Sequence, residues 1–313
     1  MSLKFQDAFE LYFSELESRG QSKSTLTHNR RWLGFFSDFS EAKGVQEVQA
    51  INEEHVSSFC LRVTWEPGMQ GKLLSPGSVH QCLSMVRSFL RWLHDRGDLF
   101  RDVTRGWILP RPPVSYTRVP TTEEMSTLLL TFDETSRLGR RNRAILELLY
   151  GTGLRVGECC SLELEHLDLD SSLLRVVDGK GKKGRLLPLG TRLKQVLKRY
   201  LKDREEFTPP EERGLFVSLK GSRLSDDAIA MMVYNASKKA GMKPFRPHAI
   251  RRGFATHLLE NGANIPVIQA LLGHENLSST QIYVALDLKA LKVVYDRTHP
   301  RAKRQPHNLK KGP

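Results

Sequence analysis

Long apolar runs and metal-binding cysteine patterns are both missing from this 313-residue sequence. No apolar stretch reaches the roughly 20 residues that a membrane-spanning helix needs, and the opening MSLKFQDAFELYF carries acids that a signal peptide lacks. The four cysteines include a vicinal pair, Cys159 and Cys160, but show no metal-ligand spacing. We therefore expect a cytoplasmic protein with reduced cysteines in its core and with no metal or other cofactor.

Acidic residues are in short supply in one part of the chain only. The formal net charge is +13, from 48 Lys and Arg against 35 Asp and Glu. Residues 1–110 hold 13 of each sign, so the excess lies in the remaining 203 residues, and the last thirteen residues contribute +5. This distribution favours a polyanionic partner such as nucleic acid, although solubility alone is a simpler explanation of a basic surface.

The N-terminal part of the chain has apolar and aromatic residues at helical spacing. Four helices are predicted, over residues 5–16, 24–39, 53–63 and 76–93, with Ser24 as the N-cap of the second and Ser75-Pro76 preceding the fourth. Their aromatic residues are interpreted as core. The candidates for contact with a DNA backbone are the basic residues expected on the outer helix faces, although such charges are more often merely solvated. They are Lys23, Arg30, Arg31, Arg87 and Arg91.

Residues 108–120, ILPRPPVSYTRVP, contain four prolines and divide the chain. We assign 1–107 to a helical domain, 108–120 to a semi-rigid linker, 121–300 to a mixed second domain and 301–313 to a basic, disordered tail. Helices are predicted from a capped start at Thr121 and over residues 141–150, 191–202 and 225–240, and a short strand over 215–218. The fold class is mostly α with a small antiparallel β-sheet, in two domains.

A glycine-rich turn, Gly151-Thr152-Gly153, separates two predicted helices and places Arg155 at the start of the second. Backbone N–H groups at a helix start favour an anion, and a guanidinium can grip two phosphate oxygens at once. Glu158 lies one turn further on and can orient Arg155. A simple surface ion pair between these two residues is the alternative.

Two β-type runs, 173–177 and 185–189, enclose the loop DGKGKKG, which predicts a hairpin. The loop matches G-x-G-x-x-G, but a strand follows where a dinucleotide site requires a helix. Its three lysines, Lys180, Lys182 and Lys183, favour a reach into a nucleic-acid groove. A solvated turn is the alternative.

The stretch 247–283 concentrates phosphate-binding chemistry. His248 and Arg251 are three residues apart and share one face of a predicted helix, whose apolar stripe is Phe254, Leu258 and Leu259. A second, shorter helix is expected to begin with an Asn264 cap and a first-turn Pro266. It buries four apolar residues and ends at Gly273. The buried residues are Val267, Ile268, Leu271 and Leu272.

Two further groups complete the stretch. His274 follows Gly273 in a predicted loop, and Ser278 with Gln281 forms a capping-box pattern that starts a helix carrying Tyr283. Imidazoles, arginine and a phenol delivered from helix ends and a loop are what a phosphate site requires.

Taken together, five short segments resemble the tyrosine recombinases, or phage integrase family, and are most similar to the Xer-type enzymes of bacteria and archaea. They are GTGLRVGE (151–158), GKGKK (179–183), HAIRRGFATHLL (248–259), LLGHENLSSTQIY (271–283) and THPRA (298–302). The resemblance covers nearly the whole chain. It implies an N-terminal helical core-binding (SAM-like) domain and a C-terminal catalytic domain around duplex DNA.

The resemblance also implies roles for the site residues. Arg155 and Arg251 would clamp the scissile phosphate, with His248 and His274 completing the pocket and Glu158 orienting from behind. Removing one such group should raise the barrier by about 2–4 kcal/mol, by analogy with oxyanion donors.

Tyr283 would be the nucleophile of a 3′-phosphotyrosyl intermediate, and Lys180 would protonate the departing 5′ oxygen. Strand exchange would proceed through a Holliday junction without a cofactor. It would serve chromosome- or plasmid-dimer resolution, or integration and excision of a mobile element.

Two positions depart from the family pattern: Arg252 stands where histidine is frequent, and Gly253 where a small hydroxyl residue is usual. The residues after Tyr283, 286–295, can form an amphipathic helix. In the family such a helix docks into a neighbouring subunit, which implies a homotetramer, or a heterotetramer with a second recombinase. By its pattern alone, the helix would instead close the core of its own domain.

Two other functions are compatible with parts of the pattern. A type IB topoisomerase-like enzyme would relax DNA as a monomer, but the helical N-terminal half and the docking helix argue against it. A DNA-binding module that does not cut would require a lost catalytic residue, and all of the residues named above are present.

Overall fold

The computed structural model of the chain describes residues 3–21, 23–67, 71–110, 118–177, 184–273 and 288–302. Contacts divide the chain into two compact units, residues 1–116 and 117–313. Four of the described α-helices lie in the first unit, and eight α-helices and three strands lie in the second. This is the mostly α fold with a small antiparallel sheet that the sequence predicts.

The N-terminal unit is built from four helices with a shared aromatic core. Two of them start at side-chain caps, since Asn52 accepts from the His55 N–H and Ser75 from the Ser78 N–H. Helix α2 begins at Lys23, so Ser24 lies in its first turn, and the prediction that Ser24 caps it is wrong. The helices are α1 (Phe5–Ser18), α2 (Lys23–Ala42), α3 (Glu53–Trp65) and α4 (Pro76–Asp95).

The aromatic residues of this unit pack on each other, as predicted. Phe36 contacts Phe5 and Phe59 edge-on, with ring centroids 5.8 and 4.9 Å apart. Phe36, Phe59 and Phe89 are fully buried. Burying a side chain of this size contributes about 1.5–3 kcal/mol each, so the rings stabilise this unit from within.

The C-terminal unit surrounds a second core with eight described helices. Helix α5 starts with a capping box between Thr121 and Glu124, as predicted from the sequence. The helices are α5 (Thr122–Leu130), α6 (Arg137–Thr152), α7 (Val156–Ser161), α8 (Thr191–Phe207), α9 (Asp226–Lys239), α10 (Pro247–Glu260), α11 (Ile265–Leu272) and α12 (Leu288–Thr298).

Among the described residues, one sheet runs in the order β1-β2-β3, with all pairs antiparallel. Strands β2 (Leu173–Val176) and β3 (Arg185–Pro188) pair as the predicted hairpin, with Val176 opposite Arg185. Strand β1 (Leu167–Asp168) was not predicted, because two residues carry no readable alternation.

Two predictions for this unit are wrong. Residues 215–218 contribute only one isolated bridge, from Val217 to Arg223, because the Tyr200 side chain of α8 takes up backbone groups that a partner strand would bind. The Tyr200 hydroxyl donates to the Leu215 carbonyl and accepts from the Val217 N–H. Leu259 is 51% exposed, since the buried face of α10 is set by Phe254 and Leu258, and Leu259 points away from it.

The last described helix packs on its own unit. Leu291 and Tyr295 of α12 are buried in the same core as residues of α6 and α10. Arg301 and Ala302, which we assigned to the basic tail, also fold onto this unit, with Ala302 buried. The sequence alternative in which this helix closes its own domain is therefore the arrangement seen in the single chain.

No helix in the described part of the chain is long and apolar enough to cross a membrane. Cys82 and Cys159 are buried, Cys60 and Cys160 are half-buried, and all four are free thiols, as predicted. Burial raises the pKa of Cys82 to about 12 and that of Cys60 to about 11. These thiols are core residues rather than reactive groups.

Candidate active site

The site begins at the turn between α6 and α7. Gly153 has φ +64°, and a Cβ at this position would lie 2.4 Å from the Phe254 ring. Glycine alone satisfies both requirements. The turn places Arg155 directly before α7, where the Glu158 carboxylate accepts from the Arg155 backbone N–H at 2.8 Å.

Three arginines from distant parts of the chain surround Glu158, and we call these four residues the Glu158 cluster. Arg155 Nη1 lies 3.0 Å from Glu158 Oε1. Arg185 binds both carboxylate oxygens, at 2.8 and 2.9 Å. Arg251 Nη1 is 3.8 Å from Oε2. Strand β3 and helices α7 and α10 thus meet at one carboxylate.

The arginines also hold the end of α11. Arg185 Nε donates to the Leu271 carbonyl at 2.9 Å, and Arg251 Nη2 donates to the Leu272 carbonyl at 2.7 Å. The last carbonyls of a helix have no partner within it, so two guanidinium groups supply the missing donors. Gly273, with φ +66°, then ends the helix, and His274 follows it directly in sequence.

Charge in the cluster is unbalanced in favour of an anion. Burial alone would raise the pKa of Glu158, but the hydrogen bonds and charge of Arg185 outweigh it and lower the pKa to about 2. Burial and the charge of Arg155 lower the pKa of Arg251 to about 10. At neutral pH three guanidinium groups therefore face one carboxylate.

Exposure separates the two arginines that were predicted to bind phosphate. The Arg155 side chain is 52% exposed, whereas that of Arg251 is 7% exposed. His248 is exposed and lies in the first turn of α10, one turn before Arg251. The structure therefore brings Arg155, Glu158 and Arg251 together. Such a set can bind an anionic oxygen and hold it in place.

Other predicted site residues lie outside the described residues. They are Lys180, Lys182 and Lys183 of the hairpin loop, His274, and Tyr283. The described ends of these segments, Gly184 and Gly273, are both near Arg185, since Gly184 precedes it and a Cβ on Gly273 would lie 2.9 Å from Arg185 Nη1.

The DNA-backbone candidates of the N-terminal unit fall into two groups. Arg30 pairs with Glu10 at 2.7 Å and lies over the Phe13 ring, and Arg87 donates to the Trp107 carbonyl. Arg31 and Arg91 are exposed on α2 and α4 without a described ion pair, and Arg31 lies over the Trp32 ring at 5.7 Å. The side chain of Lys23 lies outside the described residues. Arg31 and Arg91 are the better placed for a backbone contact.

Sequence reasoning missed Arg185, because its partners are 27 and 86 residues away along the chain. It also missed a second set of three arginines around one carboxylate, which we call the Glu147 cluster. Its members are Arg143, Glu147, Arg192 and Arg301. The available signal was a glutamate inside the apolar face of α6.

The Glu147 cluster and its neighbours fasten residues 298–302 to α6. Arg301 binds Glu147 through two nitrogens, with Nε 2.7 Å from Oε2. His299 donates from Nε2 to the Tyr150 carbonyl and stacks on Tyr295 at 5.0 Å. Burial lowers the pKa of His299 to about 3, so it is neutral. The THPRA segment therefore has a structural role, because it attaches the end of α12 to α6.

Within the part of the chain that the structure describes, no group of three or more His, Cys, Asp or Glu side chains is placed to hold a metal ion.

Comparison with known protein families gives one domain match. Residues 119–289 match the Phage integrase family. This range begins just before α5 and includes the Glu158 cluster and the stretch that carries Tyr283.

Curated relatives match over nearly the full length of the chain. The tyrosine recombinase XerC of Pseudomonas putida is 34% identical over 296 residues, which are 94% of this chain and 96% of the relative. The XerC protein of Pseudomonas fluorescens is 37% identical over 303 residues, 96% of this chain and 98% of the relative.

Solved structures share the fold at low sequence identity. The Tn1549 transposon integrase in complex with circular intermediate DNA has a TM-score of 0.70 at 19% identity, covering 93% of this chain and 99% of that one. A lambda integrase dimer bound to a core site has a TM-score of 0.66 at 20% identity, covering 88% and 96%.

Proposed function

The chain belongs to the phage integrase family, and from that premise we propose how its residues carry out the reaction of a site-specific tyrosine recombinase. The protein binds duplex DNA, cuts one strand at a specific site and rejoins it to another strand. The observation that supports this best is the Glu158 cluster, in which Arg155 and Arg251 sit at one carboxylate with surplus positive charge.

The two arginines act on the scissile phosphate. Arg251 is held by the carbonyls of Gly153 and Leu272, so its position is fixed before DNA arrives. Arg155 is half-exposed and completes the clamp, while His248 and His274 donate to the same oxygens. Donors fixed in advance cost no reorganisation as charge develops in the transition state.

Tyr283 is the nucleophile. A phenol has a pKa near 10, so it must lose its proton to water before it attacks, and the guanidinium charges that bind the phosphate favour its phenolate. Its oxygen bonds to phosphorus, the bond from phosphorus to the 5′ oxygen breaks, and Lys180 gives that oxygen its proton. The 3′-phosphotyrosyl bond keeps the energy of the broken bond, so an incoming 5′ hydroxyl can reverse the step.

Strand exchange between two sites needs more than one copy of the chain. We infer a tetramer, of one recombinase or two, on paired sites, with a Holliday junction as intermediate. Because Leu291 and Tyr295 are buried in their own unit in the single chain, docking through α12 would be an exchange of this helix between neighbours. The role is dimer resolution, or integration and excision of a mobile element.

The test begins by selecting binding sites from random duplex DNA with the purified protein. Selected sites are then nicked near the centre, so that a cut fragment diffuses away, and incubated without metal. The expected result is an adduct that resists SDS, also forms in EDTA, and is absent for Tyr283→Phe, which should bind the same DNA equally well.

Two outcomes would count against this reaction. An adduct formed by Tyr283→Phe would mean that another residue is the nucleophile. The second outcome is tight and specific binding without an adduct. If it persisted on single and paired sites, and with a second recombinase also supplied, it would indicate a DNA-binding protein that does not cut.

A further inference from the structure

Arg185 is the one member of the Glu158 cluster to which the family motifs assign no role. It is the first residue of β3 and directly follows Gly184, at the end of the hairpin loop. Its side chain is 17% exposed, as is that of Glu158. All three of its nitrogens are used: Nη1 and Nη2 on Glu158, and Nε on the Leu271 carbonyl.

Committed donors exclude Arg185 from the phosphate clamp. A guanidinium whose two terminal nitrogens both bind one carboxylate cannot use the same nitrogens to bind two oxygens of a phosphate. Gly273 packs against it closely, because a Cβ there would lie 2.9 Å from Nη1. Arg185 is therefore fixed from two sides, and its effect on the reaction must pass through its partners.

The main partner is Glu158, which also contacts Arg155. Arg155 Nη1 is 3.0 Å from Glu158 Oε1, yet the Arg155 side chain remains 52% exposed. A buried carboxylate needs several donors, and Arg185 satisfies both of its oxygens. Without Arg185, the nearest remaining side-chain donor for Glu158 is the half-exposed guanidinium of Arg155.

We propose that Arg185 is a positioning residue that occupies Glu158 and thereby leaves the Arg155 guanidinium available to the scissile phosphate. The proposal rests on the recombinase function proposed above. Its second contact, to the carbonyl of Leu271, holds the last turn of α11, from which the chain continues to His274. Arg185 thus sets both the direction of Arg155 and the starting point of the segment that follows α11.

The proposal predicts a reversal that simple loss of structure would not produce. In Arg185→Gln, Glu158 keeps its charge and captures Arg155, so cleavage should slow by at least about tenfold. In the double variant Glu158→Gln/Arg185→Gln, no carboxylate remains to capture Arg155. Its cleavage rate should exceed that of Arg185→Gln by roughly fivefold or more, the coupling expected within one ion-pair network.

The matched control is Arg175→Gln. Arg175 lies on the neighbouring strand β2, is 55% exposed, and contacts only Glu165 among its described ion pairs, at 3.5 Å. It loses the same charge from the same hairpin without touching the Glu158 cluster. Its cleavage rate should stay within about twofold of wild type, as expected for a surface pair.

The experiment measures adduct formation on nicked duplexes by wild type, Arg185→Gln, Glu158→Gln, the double variant and the control Arg175→Gln. Site binding by gel shift and thermal unfolding by circular dichroism are recorded for each. Wild-type adduct formation tests the recombinase function itself, and its absence under all of the conditions set out above would overturn that function.

With an active wild type, three results would overturn the role of Arg185. They are a wild-type cleavage rate in Arg185→Gln, a double variant no faster than Arg185→Gln, and a loss of rate in Arg175→Gln equal to that in Arg185→Gln. If Arg185→Gln does not fold, Arg185→Lys replaces it. Lysine keeps the charge but cannot bind both oxygens and the carbonyl together, so this variant should cleave at an intermediate rate that Glu158→Gln again raises.

Discussion

Two glutamates of the C-terminal unit are each surrounded by three arginines, but the two clusters differ in how much of their positive charge is exposed to solvent. Glu147 has a side chain that is 2% exposed, and Arg143 of its cluster also pairs with Glu134. Glu158 is 17% exposed and shares its oxygens with Arg155, whose side chain is 52% exposed. The first cluster uses its charge internally, whereas the second presents surplus charge to solvent.

Helix α6 connects the two clusters. Glu147 lies in its middle, and Gly153, which follows its last turn, accepts from Arg251 at 2.7 Å. Six residues of helix correspond to about 9 Å along the axis. One helix therefore has a structural ion cluster on its side and, at its end, the cluster that we propose binds phosphate. The two clusters use the same residue types but differ in exposure and in the number of carboxylates.

The largest effect should come from exchanging the two glutamates for glutamine. Glu147→Gln leaves buried arginines without their carboxylate and should cost about 3–5 kcal/mol of unfolding free energy. Cleavage per folded molecule should be unchanged. Glu158→Gln should show the opposite pattern, with a smaller loss of stability and a clear loss of cleavage rate.

Urea unfolding followed by circular dichroism, together with adduct kinetics, measures both quantities on the same samples. If Glu147→Gln also lowered the cleavage rate per folded molecule, to the extent expected for Glu158→Gln, the distinction between the two clusters would fail.

Substitution of lysine for one arginine of each cluster keeps the charge and compares the two clusters by their cleavage rates. Arg251→Lys cannot hold the carbonyls of Gly153 and Leu272 while it binds phosphate, so cleavage should fall by about 10²–10³-fold, as for loss of an oxyanion donor. Arg143→Lys, made at an equally buried arginine, should keep the wild-type rate per folded molecule. Single-turnover cleavage, normalised to the folded fraction, provides the measurement, and equal losses in the two variants would contradict it.

The smallest effect is a difference in acid sensitivity. The pKa of His299 is lowered to about 3, chiefly by burial, while unfolded histidine has a pKa near 6.5. Between these two pKa values His299 is protonated in the unfolded state but not in the folded state. Stability therefore falls as the pH drops from about 6.5 towards 3. Glu158, with a pKa of about 2, loses its contribution only below the ordinary carboxyl range near 4.3.

His299→Gln should accordingly flatten the stability profile between about pH 6.5 and 5, by at most about 1.4 kcal/mol per pH unit. Glu158→Gln should leave that interval unchanged and alter the profile only in stronger acid. His55 and His257, whose pKa values are also lowered by burial, remain in both variants. An unaltered profile in His299→Gln would contradict a lowered pKa at His299.

Much of the architecture follows from local sequence. The capping box at Thr121, the Asn264 cap of α11 and the glycine stops at Gly153 and Gly273 are each set by residues within one turn. Arg155, Glu158 and Arg251 were identified as site residues because they belong to motifs, and the structure brings these three together.

The remainder depends on contacts between distant residues. Arg301 and Glu147 are 154 residues apart in the chain, and Arg185 and Leu271 are 86 apart. No local pattern indicates which arginine meets which carboxylate. The predicted strand over residues 215–218 failed for the same reason, since Tyr200 of α8 takes its backbone groups. Likewise, the apolar face of α12 does not indicate whether the helix packs on its own unit or on a neighbouring subunit.

The burial of α12 in its own unit has a consequence for when copies of the chain associate. A segment tethered to its own binding surface competes at an effective concentration in the millimolar range. In dilute solution a second copy is far below that concentration, so the exchange of Leu291 and Tyr295 between copies is outcompeted. In the proposed assembly, two copies bound to adjacent DNA half-sites would raise each other's local concentration, so the exchange of this helix would take place on DNA rather than in free solution.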